Sequence, residues 1–389
     1  MELMYKDKKS IDKIEKKILT CKNKFLSLKT KNKYGLFIKD DNFIAMSRLL
    51  DEYQGKVDLV YIDPPYNTKS IFYYDNKKTS TISSSKNVDI AYKDNMNFKD
   101  YLEFIRERLI LIHKLLSPKG TLYLHIDIKV GHYIKIILDE IFGTNNFIND
   151  ITRVKSNPKN FSRNAYGNEK DVIYVYSKIE KNNIFNNILN PVSKEKIEKN
   201  FSKIDKNGRR YTTVPCHAPG ETKNGVTGMK WKDIFPPKGR HWRYSPEELE
   251  KLDKDNRIEW SKNGVPRIIK YADEHNGEKI QDIWKDFKDP QYPDYPTQKN
   301  FDMLELIIKQ SSNENSIIMD CFAGSASFLE MGLKNNRFVI GIDNSDIAYK
   351  LLLSNQNLQK IEVIIQDKKN NEKQFKQMNL FKEEIIERD

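Results

Sequence analysis

Cysteine, long apolar runs and paired metal ligands are scarce in this sequence, and each scarcity excludes a class of protein. The three cysteines are scattered and odd in number, which excludes a disulfide framework and favours a reducing compartment. No stretch is apolar enough for a signal peptide or a membrane span, so we expect a cytoplasmic protein that contacts no membrane. His125 and His132 are too far apart to pair on a helix, and we assign no metal.

The residues that are present predict a folded, basic protein. Hydrophobic residues make up only 38% of the chain, but 20 tyrosines and 19 phenylalanines supply a core, which excludes wholesale disorder. A length of 389 residues predicts two or three structural units. The formal net charge of +12 favours a polyanionic partner.

Strands and helices alternate along two parts of the chain. The apolar runs "GLFI" and "VDLVYID" flank a helical stretch, which predicts a βαβ unit with buried parallel strands. Residues 102–116 carry apolar side chains at steps of three and four, which predicts an amphipathic helix. The alternation resumes after residue 316. We therefore expect an α/β protein with an open, doubly wound sheet.

Other segments break this alternation. Residues 1–33 predict a basic N-terminal arm with a solvated face; a membrane-bound helix is the alternative, although it lacks an aromatic anchor. The Ser/Thr-rich stretch 79–87 predicts a mobile loop. Residues 181–290 are irregular and rich in Pro, Gly, Trp and cations, and 366–389 is a polar tail, either helical or disordered.

A basic, aromatic block lies inside the irregular region. Residues 205–243 contain nine Lys or Arg against three acids, with tryptophans between the cations. Cations contact phosphates and aromatic rings stack on bases, so the block predicts a nucleic-acid surface; a solvated charged loop is the alternative. The candidate DNA-binding residues are Arg209, Arg210, Lys230, Trp231, Lys238, Arg240, Trp242 and Arg243.

The sequence Asp63-Pro64-Pro65-Tyr66 directly follows a predicted strand. Loops at the carboxyl ends of such strands are where α/β sheets bind ligands. The two prolines stiffen the backbone and hold the Asp63 carboxylate and the Pro64 carbonyl as acceptors, while Tyr66 adds a flat ring. This set predicts a receptor for a planar group with an exocyclic amine; a structural turn is the alternative.

A second candidate site begins where another predicted strand ends. The segment 320–326, "DCFAGSA", opens a helix with small residues, so backbone N–H groups can approach an anionic ligand. Its single glycine is a poor match to a dinucleotide fingerprint, which argues against a nicotinamide dehydrogenase. Asp343 ends the following strand, where such folds place an acid on ribose hydroxyls.

Together, "VDLVYIDPPYNT", "YPTQK" at 295–299 and "DCFAGSAS" resemble the β group of amino-methylating DNA methyltransferases, enzymes of bacterial restriction-modification systems. In that group the catalytic half comes first, target recognition second and the motif for S-adenosyl-L-methionine last, which is the order found here. The resemblance covers about 34–350. It implies a Rossmann-like doubly wound methyltransferase sheet with an inserted target-recognition region.

The resemblance also divides the chain and assigns residues. It implies a catalytic half at 34–180, target recognition at 181–290 and a cofactor half at 291–365. The implied catalytic residues are Asp63, Pro64, Pro65 and Tyr66. The residues implied to hold S-adenosyl-L-methionine are Asp41, Thr297, Lys299, Asp320, Phe322, Ala323, Gly324, Ser325 and Asp343. Of these, Asp41 would contact the adenine side, and Thr297 and Lys299 the methionine end.

The activity implied is methyl transfer to adenine N6 of a base flipped out of duplex DNA. Cytosine N4 is the alternative, and an RNA or protein-amide methyltransferase or a DNA-binding module without catalysis are further alternatives. Cytosine C5 chemistry would need a nucleophilic Cys, and Cys216 is far from any strand-end loop. A homodimer and a cognate restriction endonuclease are compatible with the resemblance. The main departure is Ala326, where glycine is usual, because a Cβ is costly if φ is positive there.

Overall fold

The structure is a computed structural model of the chain. It describes residues 2–24, 28, 30–65, 96–156, 164, 166–290 and 299–365, and the backbone of 71–74, 89–93 and 376–378. The chain divides into one unit formed by Met1–Ile188 with Gln281–Asp389 and a second formed by Leu189–Ile280. The second unit lies inside the range 181–290 expected for the inserted region.

Several helices begin at a residue whose side chain caps them. Asp41 accepts hydrogen bonds from the backbone N–H groups of Phe43 and Ile44, which satisfies donors that have no partner within the helix. Among the described helices, none combines the length and the low polarity that crossing a membrane requires. The helices are α1 (Ile11–Lys24), α2 (Asn42–Tyr53), α3 (Phe98–Leu115), α4 (Ile128–Phe142), α5 (Lys194–Asn200), α6 (Pro246–Lys254), α7 (Phe301–Ser311), α8 (Ser327–Lys334) and α9 (Asp346–Ser354).

The central strands of the first unit are nearly continuous apolar runs, as expected for strands that are buried on both faces. The strands are β1 (Gly35–Lys39), β2 (Val57–Ile62), β3 (Ile71–Tyr74), β4 (Asp89–Lys93), β5 (Leu116–Ile126), β6 (Phe147–Val154), β7 (Lys170–Ser177), β8 (Leu189–Asn190), β9 (Lys203–Ile204), β10 (Arg210–Pro215), β11 (His217–Pro219), β12 (Arg240–Trp242), β13 (Ile258–Trp260), β14 (Pro266–Tyr271), β15 (Glu278–Lys279), β16 (Ile283–Trp284), β17 (Ile317–Asp320), β18 (Phe338–Ile342), β19 (Glu362–Ile365) and β20 (Lys376–Met378).

One large sheet organises the first unit, in the order β16-β6-β7-β5-β2-β17-β18-β1-β19-β20. Its pairs are parallel except that β7 runs antiparallel to β5 and β6, and β20 to β19. Helices α1 to α4 contact one another in chain order, and α7 contacts α8. The predicted α/β, doubly wound sheet is confirmed. However, β1 and β2 are not neighbours, because β17 and β18 lie between them.

The winding of the sheet reverses between β2 and β17. The chain leaves β17 for its neighbour β18 on one side and leaves β2 for its neighbour β5 on the other. Ligands of α/β sheets bind outside the carboxyl ends of the strands at such a reversal. Asp63 follows β2 and Asp320 ends β17, so two candidates that are far apart in sequence lie at the same edge.

The N-terminal arm packs into the first unit along one side of α1, and most other residues of this helix are exposed, as on the solvated face expected for it. Ile14 and Ile18 of α1 are buried in the main core. The ammonium groups of Lys9 and Lys17 each lie 2.6 Å from the carboxylate of Glu107, whose side chain is only 4% exposed. These lysines therefore neutralise a buried charge, which would be costly without a partner.

The polar tail is described only in part. The sequence predicted a tail that is either helical or disordered. Strand β20 instead pairs antiparallel with β19, so this short piece of the tail is a strand. The rest of 366–389 and the predicted mobile loop 79–87 lie outside the described residues.

The second unit has its own small core. It contains a sheet in the order β13-β14-β10-β9 and a hairpin of β11 with β12. The buried residues that pack together there are Cys216, Trp231, Trp242, Leu249, Ile258 and Ile268.

Glu107 offers a test of the packed N-terminal arm. Burial would raise the pKa of Glu107, but Lys17 and Lys9 lower it below its ordinary value of 4.5. A lowered carboxyl pKa gives stability that is present above pH 4.5 and is lost as the pH falls through the folded-state value. Glu107→Gln should therefore lower the free energy of unfolding at about pH 7 by about 1–3 kcal/mol, and the deficit should shrink in acid.

Urea unfolding at several pH values measures this difference. Glu52→Gln is the matched control, because Glu52 on α2 pairs with Lys56 in the turn that follows, and this exposed pair should contribute less than about 0.5 kcal/mol. Equal losses for both variants would contradict the buried ion pair.

Candidate active site

Three acidic side chains gather at the edge where the winding reverses. Asp320 is buried at the end of β17 and accepts a hydrogen bond of 2.9 Å from the backbone N–H of Phe322. Burial raises the pKa of Asp320 well above its usual range, and the nearby carboxylates of Asp63 and Asp343 raise it further. The edge is therefore an acidic pocket that favours a cationic or proton-donating ligand.

The loop after β17 is fixed from two sides. The backbone N–H of Gly324 donates to Asp343 at 2.9 Å, which joins the loop to the end of β18. The side-chain amide of Asn42 donates to the backbone carbonyl of Cys321 at 2.8 Å, which joins it to the start of α2. Burial raises the pKa of Asp343, although backbone N–H groups, including those of Ser345 and Gly324, oppose the rise.

Ala326 adopts the backbone conformation that makes its Cβ costly. Its φ is 58° and its ψ is 18°, in the left-handed region, at the N-cap of α8. The sequence predicts that Ala326, in place of the usual glycine, is costly if its φ is positive, and φ is positive here. Only glycine enters this region without steric cost, so the turn into α8 is strained by about 1 kcal/mol.

A small cavity brings most of the candidate residues together. Its volume is about 50 Å³. Both candidate loops contribute to its wall, and so does Lys299. The residues that line it are Tyr61, Asp63, Lys299, Leu304, Asp320, Phe322, Ala323, Gly324, Ser325, Ser327 and Phe328.

Lys299, at the end of the segment "YPTQK", contacts Asp63, the acid of the segment Asp63-Pro64-Pro65-Tyr66. Its Nζ lies 2.8 Å from Oδ2 of Asp63, and the two side chains are 11% and 15% exposed. Burial would lower the pKa of Lys299, but Asp63 and Asp289 raise it, so the ammonium is charged. The two residues form a largely buried ion pair in the cavity wall.

The other candidates lie elsewhere or outside the description. Asp41 caps α2, and its carboxylate is 3.1 Å from a guanidinium nitrogen of Arg108; it does not line the cavity. Pro64 and Pro65 follow Asp63 in the described chain, whereas Tyr66 and Thr297 lie outside the described residues.

Sequence reasoning missed several residues of this wall. The ring of Tyr61 stacks on Phe328 with centroids 5.3 Å apart, and its hydroxyl is 3.0 Å from Nδ1 of His125. Nε2 of His125 in turn lies 2.9 Å from Oδ2 of Asp171. The position of Tyr61 two residues before Asp63 was the available signal, because alternate residues of a strand share a face.

Two tryptophans of the basic block are core residues, so the prediction that they stack on DNA is wrong. Trp231 and Trp242 are 4% and 2% exposed. Their rings meet edge to face, 6.1 Å apart, and the indole N–H of Trp242 donates to the Met229 carbonyl. Buried rings with satisfied polar atoms stabilise the second unit and leave no face for a base.

The cations of the block fall into two groups. Arg209 makes a bidentate pair with Asp273 and also contacts Glu274, Arg210 lies 3.9 Å from Glu198, and Lys230 lies 2.6 Å from Asp233. Lys238, Arg240 and Arg243 are exposed and make no ion pair with any carboxylate of the described residues. The second group is the better candidate for phosphate contacts, because its charge is not compensated locally.

An acidic, aromatic-lined cavity beside a strand-to-helix turn, at the reversal of a Rossmann-like sheet, is the arrangement of a methyltransferase that uses S-adenosyl-L-methionine. The DNA methylase family model for N6 and N4 amino-methyltransferases matches residues 57–354. The chain therefore belongs to this family of DNA methylases, as its resemblance to the β group predicted.

Individual relatives agree with this assignment. The type II methyltransferase M.EcaI of Enterobacter cloacae is 40% identical over 322 residues, covering 82% of this chain and 68% of that protein. The Mod subunit of the type III restriction-modification enzyme StyLTI of Salmonella typhimurium is 27% identical over 328 residues, covering 76% of this chain and 49% of the subunit. The chain thus spans about half of that subunit.

One solved structure aligns with most of this chain. A Thermus thermophilus protein assigned as a DNA modification methylase, in complex with S-adenosyl-L-methionine, aligns with a TM-score of 0.44 and 12% identity. The alignment covers 87% of this chain and 99% of that one.

Replacing Ala326 by glycine should relieve the strain before α8. We expect Ala326→Gly to raise the free energy of unfolding by about 0.5–1 kcal/mol, since the new residue adopts the same φ without a clash. Ala323→Gly, in the same loop but without a positive φ, should lower it by about 0.5–1 kcal/mol. Urea unfolding of both variants measures the difference, and destabilisation by Ala326→Gly would contradict the strain.

Proposed function

We propose that this DNA methylase transfers the methyl group of S-adenosyl-L-methionine to adenine N6 of a base flipped out of duplex DNA, within a restriction-modification system. The observation that carries the proposal is the position of Asp63, which precedes Pro64 in the chain, in one cavity wall with residues of the loop 320–326, at the reversal of the sheet. This edge would bring a stiff pair of acceptors and a cofactor loop together. A cognate endonuclease and a second copy of the chain are partners that the resemblance allows, and neither enters the mechanism.

The cavity residues fit the cofactor chemically. S-adenosyl-L-methionine carries a positive sulfonium, and Asp63 and Asp320 line the cavity as carboxyl groups. In the cavity wall the rings of Phe322 and Phe328 offer apolar contact, and Asp343, which does not line the cavity but accepts from the backbone N–H of Gly324 in its wall, is an acceptor suited to the ribose hydroxyls. Bound there, the cofactor supplies an electrophilic methyl group.

Asp63 and Pro64 would activate the target amine by position. The lone pair of an aromatic amine is delocalised into the ring, so the nitrogen is a poor nucleophile. Hydrogen bonds from its two N–H groups to the Asp63 carboxylate and the Pro64 carbonyl favour a pyramidal nitrogen with an available lone pair. Positioning and electrostatic effects of this kind contribute several kcal/mol to a reaction barrier. A carboxylate is too weak a base to remove the proton first, so one N–H proton passes to solvent during or after transfer. The S–C bond breaks as the N–C bond forms, and S-adenosyl-L-homocysteine leaves as a neutral thioether.

The target base must leave the duplex to reach this edge. Extrusion costs a few kcal/mol of stacking and pairing. Stacking on an aromatic side chain returns about 1–3 kcal/mol, and Tyr66 is the residue that the motif assigns to this role.

The base is identified by its product. Duplex DNA is incubated with the protein and methyl-labelled S-adenosyl-L-methionine, digested and analysed by mass spectrometry of the nucleosides. We expect labelled N6-methyldeoxyadenosine. Labelled N4-methyldeoxycytidine would overturn the choice of adenine, and a label found only in an RNA or protein substrate would overturn DNA as the target.

Asp63 can be tested separately from cofactor binding. Asp63→Ala should lower kcat by at least about 100-fold, because an acceptor used in the transition state is lost. The Kd of S-adenosyl-L-methionine, measured by calorimetry, should remain within a few-fold of the parent value. Asp346→Ala, an exposed acid on α9, is the control for general loss of a carboxylate. Substantial turnover by Asp63→Ala would refute the role.

Exposed cations of the second unit are proposed to hold the DNA backbone. The logarithm of the DNA association constant falls linearly with the logarithm of the salt concentration, and each phosphate contact contributes about 0.9 to the steepness of that slope. Removing one contact therefore makes the slope shallower by about 0.9. Lys238→Gln and Arg240→Gln should therefore each reduce this slope by about that amount. Arg209→Gln is the matched control, since Arg209 already binds Asp273 and Glu274, and it should change the slope less. Fluorescence anisotropy with a labelled duplex at several salt concentrations gives the slopes, and equal effects of all three variants would contradict the proposed surface.

A further inference from the structure

Lys299 lies against the carboxylate that the proposed function assigns to the target base. The contact is 2.8 Å between Nζ and Oδ2, and both side chains are largely buried. The resemblance implied a different place for Lys299, at the methionine end of the cofactor. A lysine held on Asp63 can orient the carboxylate that receives the target amine, which a lysine at the methionine end of the cofactor would not do.

The surroundings of Lys299 favour the charged form and a fixed position. Asp63, Asp289 and Asp171 all attract the ammonium, and Arg153 repels it. Arg153 itself binds the carboxylates of Asp171 and Asp289, so these two acids are fixed. Lys299 immediately precedes Asn300, the N-cap of α7, whose amide oxygen accepts from the backbone N–H of Met303, so the backbone beside it is also held.

We propose that Lys299 is a positioning residue for methyl transfer, which orients the Asp63 carboxylate through Oδ2 and is not a ligand of the methionine end of the cofactor. The inference rests on the proposed function of Asp63. An ionised carboxylate has about four acceptor sites, so Asp63 accommodates Lys299 and an N–H of the target amine together. Lys299 acts through Asp63 and contacts neither the base nor the methyl group.

This position makes an electrostatic prediction about the cofactor. S-adenosyl-L-methionine carries a sulfonium, whereas its product, S-adenosyl-L-homocysteine, carries a neutral thioether. A lysine ammonium on Asp63 in the wall of the cavity repels the first ligand more than the second, and because both side chains are largely buried this repulsion is screened less than one at the surface. Removing the lysine charge should therefore shift the preference of the protein toward S-adenosyl-L-methionine.

The test compares Lys299→Met with the parent by calorimetric titration of both ligands. The ratio of Kd for S-adenosyl-L-homocysteine to Kd for S-adenosyl-L-methionine should rise by at least about threefold, since one unit of positive charge has left the cavity. The kcat for DNA methylation should fall by about 100-fold with little change in the KM for DNA, and Lys299→Arg should restore part of it. Lys309→Met, the same change on the exposed face of α7, is the matched control and should alter neither quantity.

The other outcomes overturn the inference. Equal weakening of both ligands by Lys299→Met would mean that Lys299 binds the methionine carboxylate they share. If Lys299→Met leaves both the ratio of the two Kd values and kcat unchanged, Lys299 does not orient the Asp63 carboxylate. If the methionine variant fails to fold, Lys299→Gln carries the same charge change and the same expectation. The ratio of the two Kd values is measured without DNA. It therefore still shows whether Lys299 lies on Asp63 or on the methionine end of the cofactor, even if the parent protein methylates a base other than adenine.

Discussion

Parallel pairing between β2 and β17 brings together two parts of the chain that are far apart in sequence. Leu59 pairs with Ile318 and Val60 with Met319, so the carboxyl ends of both strands lie at one edge. At the opposite end, the Asp58 carboxylate accepts hydrogen bonds of 2.7 Å from the hydroxyls of Ser117 and Ser316, which joins β2 to the starts of β5 and β17. Any shift in this register would separate Asp63 from the cofactor loop, so the proposed chemistry depends on it.

Buried charges near that edge support the same arrangement. Four neighbouring strands contribute one polar side chain each to a continuous row: Tyr61, His125, Asp171 and Arg153. All four are buried within the sheet. Burial would raise the pKa of Asp171, but His125 and Arg153 lower it below its usual range. Isolated, the buried charge of Asp171 or Arg153 would cost several kcal/mol, and the row pairs them with each other and with neighbouring polar groups.

Strand-end acids were the part of the site that sequence could locate. Asp63, Asp320 and Asp343 each end an apolar run, and in a parallel sheet such ends share an edge. Lys299 could be found as part of a motif, but its partner could not, because the contact joins residues that are distant in sequence. Strand β6 was missed since polar residues such as Asn149 and Asp150 interrupt its apolar pattern.

Composition misled where packing decides the role of a residue. Trp231 and Trp242 lie among cations in the sequence, yet their rings form the core of the second unit. The lysines of the N-terminal arm lie on an exposed side, as composition suggested, but local sequence did not reveal that Lys9 and Lys17 also neutralise a buried glutamate. A charged or aromatic residue is assigned to a surface or a core by its tertiary neighbours, and local sequence does not contain them.

The central claim is that the target amine binds at Asp63, next to the loop that holds the cofactor. A crystal structure with S-adenosyl-L-homocysteine and a cognate DNA duplex tests it most directly. The account predicts an extruded adenine whose exocyclic nitrogen lies within about 3.2 Å of both an Asp63 carboxylate oxygen and the Pro64 carbonyl. An extruded base held by other residues, with its amine out of hydrogen-bonding range of Asp63, would contradict it.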